Sequence, residues 1–351
     1  MKICFILPQT LRKPIGGYKI IYEYANRLVD EGHKVVILFL NERALERFRL
    51  PKVIRGYAVE IFTQIEPRWF KFKPEILKIS STDRRVNKKI ESTDLAIATG
   101  VDTVEATCRL FAGVRKAYFI QGYETWLYSA NQINKTFSLG MDNIVISKWL
   151  KEIVDQYGKR PALLLPNPID TNVYRIITPI EERNKYFIGV LYHGAEHKGF
   201  KYAFKAIKKI KEKIPELKLY MFGTSIPDFL MPDWVEFIFN ATQEETIKIY
   251  NNVSAFVCAT IAEGYGLTGL EAMACGAALV STEYEGVKEY AENNYNALLS
   301  PIRDVDALAD NLERIMQDEK LRLRIVKNGM STVKDFSWEK AINILSDYLE
   351  S

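Results

Sequence analysis

The chain has 351 residues, of which 48% are hydrophobic and 26% charged, and this is the composition of a globular protein long enough for two domains. No run approaches the roughly 20 apolar residues of a membrane-spanning helix, and the four cysteines form no Cys-x-x-Cys pair, which argues against a disulfide framework. Residues 1–165 carry 27 Lys and Arg against 17 Asp and Glu, whereas residues 166–351 carry 21 against 27. This asymmetry favours an anionic partner for the first half, namely a lipid surface, an anionic acceptor or nucleic acid, although an incidental solvated surface also fits.

The first half alternates short apolar runs with segments of helical periodicity. Residues 2–7 predict a strand that is too short and lacks the cleavage site for a secretory signal, so we expect a cytoplasmic location. Gly16 and Gly17 open a predicted helix that reaches about residue 31, and a strand follows at residues 34–40. Further strands are predicted at residues 95–99, 117–121, 144–147 and 163–165. These runs are continuous rather than alternating, which predicts a parallel sheet that is covered on both faces.

Residues 41–92 show no such regularity. They are rich in Arg, Lys and aromatic residues, and Pro67 and Pro74 interrupt any long helix. We expect an irregular, surface-facing region here.

A second series of strands and helices follows the boundary at Leu165-Pro166-Asn167-Pro168. Strands are predicted at residues 186–191, 217–222, 235–239, 255–260, 278–282 and 297–300. Helices are predicted at residues 200–213, 243–251 and 267–275, with three more at the end of the chain. Strands that alternate with helices indicate right-handed βαβ units and doubly wound sheets, two in number here. Ligands of such sheets bind beyond the carboxyl ends of the strands, so we expect a site in a cleft between the two domains.

The segment Glu263–Gly276, EGYGLTGLEAMACG, directly follows a predicted strand. Its glycines allow the backbone to approach a ligand, and the free N–H groups at the start of the next helix suit phosphate or hydroxyl groups. Glu271 lies about one turn into that helix among apolar residues, where a carboxylate needs donors such as sugar or ribose hydroxyls. On these residues alone, a glycine-rich turn followed by a helix with an acidic first turn fits equally well.

The Glu263-x7-Glu271 spacing with its glycines resembles retaining GT-B glycosyltransferases of family 4. The resemblance implies that Glu263 contacts the transferred sugar and that Glu271 binds the nucleotide ribose. It also implies that Lys198, in the pair Lys198-Gly199, faces the donor phosphates and acts with Glu263 in catalysis. The segment 119–124, FIQGYE, is similar to a branch that builds bacterial surface polysaccharides and includes rhamnosyltransferases.

The same resemblance implies further site residues. The donor-side residues are Gly16, Gly17, His193, Asn240, Tyr265, Gly266, Leu267 and Thr268. The acceptor-side residues are Gln121, Tyr123 and Glu124. The chain departs from the family at Val190, where many members carry an arginine for the diphosphate, and at Gln121, where many carry a histidine. Tyr284-Glu285-Gly286 replaces a Gly-Gly pair, so all three departures bear on donor recognition.

The resemblance therefore implies a hexosyltransferase that moves a sugar from a nucleoside-diphosphate sugar to a glycan or lipid-linked acceptor with retention, in surface polysaccharide or glycoconjugate synthesis. It implies a GT-B fold, with an acceptor domain at residues 1–166, a donor domain at residues 167–337 and a last helix, 338–351, that crosses back to the first domain. We expect neither cofactor nor metal. Asp304-Val305-Asp306 has the form of a metal motif, but we interpret it as a helix cap.

Other functions remain open. A sugar-nucleotide 2-epimerase of the same fold would need acid–base groups at the sugar, and a non-catalytic nucleotide-sugar-binding protein would need only the donor site. We expect no nucleic-acid partner, because no known reading module is present. We also expect peripheral contact with the inner face of the membrane through basic and aromatic residues of the first half. These residues are Arg43, Arg47, Arg49, Trp69, Lys71, Phe72, Arg84, Arg85, Lys88 and Lys89.

Overall fold

The computed structural model describes residues 1–42, 44 and 51–351, and it divides into two compact units, Met1–Leu165 and Pro166–Ser351. The strands of the first unit are β1 (Lys2–Leu7), β2 (Lys34–Phe39), β3 (Leu77–Ser80), β4 (Leu95–Ala98), β5 (Arg115–Ile120), β6 (Asp142–Val145) and β7 (Leu163–Leu164). Its helices are α1 (Gly16–Asp30), α2 (Lys52–Ile65), α3 (Val86–Ile90), α4 (Val101–Leu110), α5 (Ala130–Phe137) and α6 (Lys148–Tyr157).

The second unit repeats this arrangement of strands and helices. Its strands are β8 (Phe187–Tyr192), β9 (Lys218–Gly223), β10 (Val235–Phe239), β11 (Ala255–Cys258), β12 (Ala278–Thr282) and β13 (Ala297–Ser300). Its helices are α7 (Phe200–Lys213), α8 (Gln243–Asn252), α9 (Leu267–Ala274), α10 (Val305–Gln317), α11 (Glu319–Val333) and α12 (Trp338–Glu350).

Over the described residues, every pairing between these strands is parallel. The strand orders are β3-β2-β1-β4-β5-β6-β7 and β10-β9-β8-β11-β12-β13. Both orders are Rossmann-like, and in both the direction of winding reverses next to the first strand of the unit. The predicted α/β fold with two Rossmann-like domains is confirmed. The reversals between β1 and β4 and between β8 and β11 are where such sheets bind ligands.

The strands are buried because helices cover both faces of each sheet. All four residues of β4 are buried, as are all five of β12. In the second unit, α7 packs its apolar face, Ala203, Ala206, Ile207 and Ile210, into a core shared with the strands and with α10. The lysines of α7 lie on its other face, as helical periodicity requires.

The region between residues 41 and 92 differs from the sequence prediction. Where the structure describes it, it contains α2, β3 and α3 rather than irregular chain. The helix α2 lies between Pro51 and Pro67, so both prolines are outside the helix and neither interrupts it. Its apolar residues occur on all sides, so its sequence shows no amphipathic period. Arg43, Arg47 and Arg49 lie outside the described residues.

The unit boundary falls at the prolines that follow Leu165, and α12 groups with the second unit. The predicted crossing of this helix to the first domain stays a prediction. Asp304 caps α10, where its carboxylate accepts a hydrogen bond of 3.0 Å from the Ala307 N–H. Asp304 therefore has the role that the sequence predicted for it.

Arg183 is a buried cation that links several segments of the second unit. Its side chain is 7% exposed, and its guanidinium donates to the carbonyl oxygens of Thr178 at 2.9 Å, Tyr250 at 3.1 Å and Cys275 at 2.7 Å. Burial lowers the pKa of Arg183 to about 10. The guanidinium donates the hydrogen bonds that water would otherwise donate to carbonyl oxygens at the ends of α8 and α9. It therefore holds these two helices against each other.

Candidate functional site

The predicted donor residues of the second unit, apart from Asn240, lie where β8 and β11 end side by side. Residues 193–199 follow β8, and residues 259–266 follow β11. The Ile261 N–H donates to the His197 carbonyl at 2.8 Å, which joins the two segments. Because the winding of the sheet reverses between these strands, their loops leave a space at this edge of the sheet for a ligand.

A Lys198–Glu263 ion pair lies at the centre of this edge. The Lys198 ammonium donates to Glu263 Oε1 at 2.6 Å, and the two side chains are 22% and 28% exposed. Lys198 ends a short turn, and Gly199 follows it with φ 66° before α7 begins. A Cβ atom at Gly199 would collide with the Ala259 carbonyl oxygen, so this glycine lets Lys198 approach the end of β11.

A small cavity of about 20 Å³ adjoins the ion pair. Its lining includes Val190, His193, Lys198, Cys258, Glu263 and Thr268. His193 Nδ1 accepts from the Ala195 N–H at 3.0 Å, which leaves Nε2 as the protonated nitrogen of a neutral ring. Burial lowers the pKa of His193, and the nearby Lys198 lowers it further, so this histidine is uncharged at neutral pH.

The start of α9 is held by two buried tyrosines. Gly266 precedes the helix with φ 94°, and a Cβ atom there would collide with the Tyr284 hydroxyl group. The Tyr290 hydroxyl donates to the Gly266 carbonyl at 2.6 Å. Tyr284 and Tyr290 are 1% and 3% exposed, so packing fixes both rings. The first N–H groups of α9, at Leu267 and Thr268, therefore keep a fixed direction at the edge of the sheet.

We expect Tyr290→Phe to loosen the start of α9. The Gly266 carbonyl would keep the hydrogen bond from the Gly269 N–H and lose the one from the phenol. We expect a loss of about 1 kcal/mol, which lowers the melting temperature of a unit of this size by about 2–4 °C. Differential scanning calorimetry measures it, with Tyr295→Phe as control because the Tyr295 side chain is 47% exposed. Equal melting temperatures for the two variants would contradict the assigned role.

Glu271 lies one turn further along α9. Its Oε2 accepts a hydrogen bond of 3.1 Å from the hydroxyl of Tyr250, a fully buried residue of α8. Gly286 packs against the segment that carries the other glutamate, and a Cβ atom at Gly286 would lie 2.5 Å from the Glu263 carbonyl oxygen. Both carboxylates are therefore positioned by residues that are distant in sequence.

The predicted residues of the first unit follow the carboxyl ends of β1 and β5. A Cβ atom at Gly17 would lie 2.9 Å from Gln121 Oε1, so the glycine loop and Gln121 are neighbours, and Gly16 is the first residue of α1. Tyr123 donates to Asn134 Oδ1 at 2.9 Å. Burial raises the pKa of Glu124, and the charge of Asp102 raises it further.

The structure thus brings His193, Lys198, Glu263 and Thr268 around one cavity. Gly266, Leu267 and Glu271 belong to the adjoining start of α9, where the Tyr265 side chain is 2% exposed and only its backbone can meet a ligand. Asn240 is not part of this group. It follows the edge strand β10, is exposed, and adopts φ 53° with its N–H bonded to the Gly223 carbonyl at 2.8 Å. Among the described residues, no group of three or more His, Cys, Asp or Glu could hold a metal ion.

Sequence reasoning missed three residues that organise the site: Arg183, Tyr250 and Tyr290. Each bonds a backbone carbonyl or a carboxylate far away in the sequence, in Cys275, Glu271 and Gly266 respectively. The two tyrosines cannot be told from ordinary core residues in the sequence, and Arg183 stands in a charged run that resembles solvated surface.

The part of the chain that contains this site matches a known protein family. Residues 175–332 match the model of the family described as glycosyl transferases group 1. An uncharacterized glycosyltransferase of Methanocaldococcus jannaschii is 27% identical over 207 residues, which are 57% of this chain and 56% of that protein. The N,N'-diacetylbacillosaminyl-diphospho-undecaprenol alpha-1,3-N-acetylgalactosaminyltransferase of Campylobacter jejuni is 32% identical over 87 residues, 25% of this chain and 23% of that protein. The chain therefore spans little more than half, or less, of these relatives.

A solved structure matches the whole chain. The Anabaena protein HepE, crystallised in complex with UDP and glucose, has a TM-score of 0.76, 16% identity and coverage of 100% of this chain and 98% of its own. At this identity the match establishes the fold. The chain has a GT-B fold, and its residues 175–332 match the group 1 glycosyl transferase model.

Proposed function

We propose that the protein is a glycosyltransferase that transfers a sugar from a nucleoside-diphosphate sugar to a glycan or lipid-linked acceptor with retention of anomeric configuration. The observation that carries the proposal is the Lys198–Glu263 pair at the reversal between β8 and β11, beside the start of α9. A cation, a carboxylate and free helix N–H groups together suit a diphosphate joined to a sugar.

Lys198 and the start of α9 bind the negatively charged diphosphate of the donor on this proposal. An ammonium group has three hydrogen-bond donors, and Glu263 occupies one of them, so the others can bind phosphate oxygens. In the reaction, the bond between the anomeric carbon and the diphosphate breaks while negative charge grows on the departing oxygen. Lys198 stabilises that charge. Val190 supplies no second cation, so the helix N–H groups take a larger share.

Retention follows if the acceptor hydroxyl attacks from the face that the diphosphate leaves. The new bond then forms between the acceptor oxygen and the anomeric carbon, and the acceptor proton passes to the departing phosphate oxygen. Glu263 accepts hydrogen bonds from sugar hydroxyls and orients Lys198 in this scheme, and it is not the nucleophile. The reaction needs no added divalent cation on this proposal, and unchanged turnover in EDTA checks that point.

Glu271 binds the ribose on this proposal. Tyr250 fixes its carboxylate with a hydrogen bond of 3.1 Å, and ribose hydroxyls supply the other donors. Gln121, Tyr123 and Glu124 receive the acceptor, and Gly17, which adjoins Gln121, stays a donor-side residue on this proposal. The undecaprenol-linked substrate in the name of the Campylobacter relative supports a lipid-linked acceptor and a role in surface glycoconjugate synthesis.

The first test is donor binding. We expect one nucleoside diphosphate among UDP, TDP, GDP and ADP, or its sugar conjugates, to raise the melting temperature, because a ligand present at 100 times its Kd stabilises the native state by about 2.7 kcal/mol. UDP comes first, since the HepE structure holds UDP and glucose. Glu271→Gln should abolish the shift, whereas Glu319→Gln, an exposed residue of α11, should preserve it.

The second test is transfer itself. Release of nucleoside diphosphate only in the presence of an acceptor, with an unchanged anomeric coupling constant in the product, would support the proposal. Donor binding without release would favour a non-catalytic binding protein. Epimerised donor without acceptor would favour a 2-epimerase.

A further inference from the structure

The outward face of α2 is apolar. The helix packs on the first unit through Val59 and Thr63, which are fully buried. Four large side chains lie on the opposite face with exposed fractions between 49% and 60%, and we name them the apolar stripe: Ile54, Tyr57, Ile61 and Ile65. Their spacing of three, four and four residues places them on one line along the helix. An ordinary surface helix carries polar residues on this face.

Exposed cations border the apolar stripe. The Arg84 guanidinium lies 5.9 Å from the centroid of the Tyr57 ring, and Arg85 and Lys88 follow it in exposed positions. A groove of about 530 Å³ separates this loop from α2 and has Tyr57, Arg84 and Arg85 in its lining. Lys89 differs from its neighbours, because it pairs with Asp83 at 2.5 Å.

The charge balance of these cations is positive over the described residues. Within the part of the chain that the structure describes, no carboxylate lies within ion-pair distance of Arg84, Arg85 or Lys88. Two further arginines, Arg12 and Arg68, share the single carboxylate of Glu66 beyond the end of α2, at 3.5 and 3.6 Å. Glu60 and Asp83, the two carboxylates that line the groove, both lie against Lys89, so the surroundings of the apolar stripe keep a net positive charge.

The aromatic residues of the nearby loop are not part of this surface. Trp69 and Phe72 pack against the buried ring of Tyr22, with centroids 5.7 and 4.6 Å apart. Both residues are half-buried, and their predicted contact with a membrane stays a prediction. The apolar stripe provides the exposed apolar area instead.

We propose that α2 seats the first unit on a bilayer that carries anionic headgroups, with the apolar stripe in the interface and Arg84, Arg85 and Lys88 on the headgroups. A helix of 14 residues is about 21 Å long and can lie flat in the interface. Among the described residues, no helix has the length and apolarity needed to cross a membrane. Each cation close to an anionic surface adds about 1 kcal/mol to binding.

Charge decides in favour of a bilayer over a second copy of the chain. A second first unit would bring the same positive surroundings against the apolar stripe, and like charges at an interface oppose association. An anionic bilayer complements both the apolar side chains and the cations. Lipid binding would place the protein next to a lipid-linked acceptor, and the inference depends on the proposed function only in that respect.

Vesicle co-sedimentation of the full chain without a donor tests the proposal. We expect binding to vesicles with 30% phosphatidylglycerol, little binding to pure phosphatidylcholine, and weaker binding at high salt. The double substitution Ile54→Ser and Ile61→Ser should lower the partition coefficient tenfold or more, since each buried CH₂ is worth about 0.8 kcal/mol. Arg84→Ser with Arg85→Ser should lower it on anionic vesicles alone. Ile226→Ser with Leu230→Ser, at residues 72% and 97% exposed in the second unit, is the matched control.

Three results would overturn the proposal: binding that ignores anionic lipid content, unchanged binding by the Ile54/Ile61 variant, or a self-association in lipid-free sedimentation velocity that this variant abolishes. The nucleotide-induced melting shift is recorded on the same samples. A variant that keeps the nucleotide-induced melting shift but no longer binds vesicles separates lipid binding from donor binding. A wild-type protein that binds vesicles but shows no melting shift would count against the proposed function alone.

Discussion

Lys198→Met should lower the turnover of the donor by about 10²–10³-fold, the usual cost of removing one group that stabilises transition-state charge. The substitution keeps the length of the side chain and its contact with the cavity wall. It removes the charge 2.6 Å from Glu263 and leaves that carboxylate without its cation. Because Val190 supplies no compensating cation, the effect should fall mainly on kcat, where the leaving diphosphate develops its charge.

The matched control is Lys201→Met. Lys201 lies one turn later, is 53% exposed and pairs with Glu196 at 2.8 Å on the surface. Its loss removes the same charge from a position three residues further along the chain, so a general electrostatic effect would appear in both variants. Steady-state kinetics with both variants decide the matter. If both lose turnover equally, the role of Lys198 is not specific, and if neither does, the site lies elsewhere.

Gly199→Ala should lower the free energy of unfolding of the second unit by about 4 kcal/mol or more. Single substitutions have effects of this size through only a few mechanisms, and backbone strain is one of them. Gly199 adopts φ 66°, and the Ala259 carbonyl group occupies the position that a Cβ atom of residue 199 would need. Relief would require α7 and the end of β11 to move apart. We expect a much lower melting temperature for the second unit and loss of the Lys198–Glu263 contact.

Two other glycines separate the causes of this effect. Gly113 has φ 77° with open space around it, so Gly113→Ala should cost only the left-handed strain of about 1–2 kcal/mol. Gly194 lies in open space without a positive φ, so Gly194→Ala should be close to neutral. Calorimetry of the three variants tests this order. A Gly199→Ala protein as stable as Gly113→Ala would mean that the loop adjusts and that the close approach is not required.

The sequence was most informative where one rule acts alone. Continuous apolar runs between helices located β12 and β13 at their observed bounds, because the inner strands of a doubly wound sheet are fully buried. It also placed the ends of β8 and β11, the strands that precede Lys198 and Glu263, within two residues of their observed positions. The sequence could not show that Lys198 would pair with Glu263, since 65 residues separate them and only the parallel pairing of β8 with β11 brings them together.

The failures have physical causes of their own. The helix α2 escaped prediction because its exposed face is as apolar as its buried face, which removes the period that reveals a helix. Arg183 escaped because its partners are carbonyl oxygens, which every residue possesses. Asn240 was placed with the donor residues on resemblance, and its exposed position after an edge strand leaves that assignment as a prediction.

The neighbouring positions of β8 and β11 have a consequence for biosynthesis. Ile188 pairs with Ala255, so the two segments that carry Lys198 and Glu263 are made well apart in time as the ribosome adds residues one by one. β9, β10 and α8 are synthesised between them. A nascent chain arrested before β11 emerges should therefore have no affinity for the donor. The binding site would come into being late in translation, and until then the edge of β8 stays open to wrong partners.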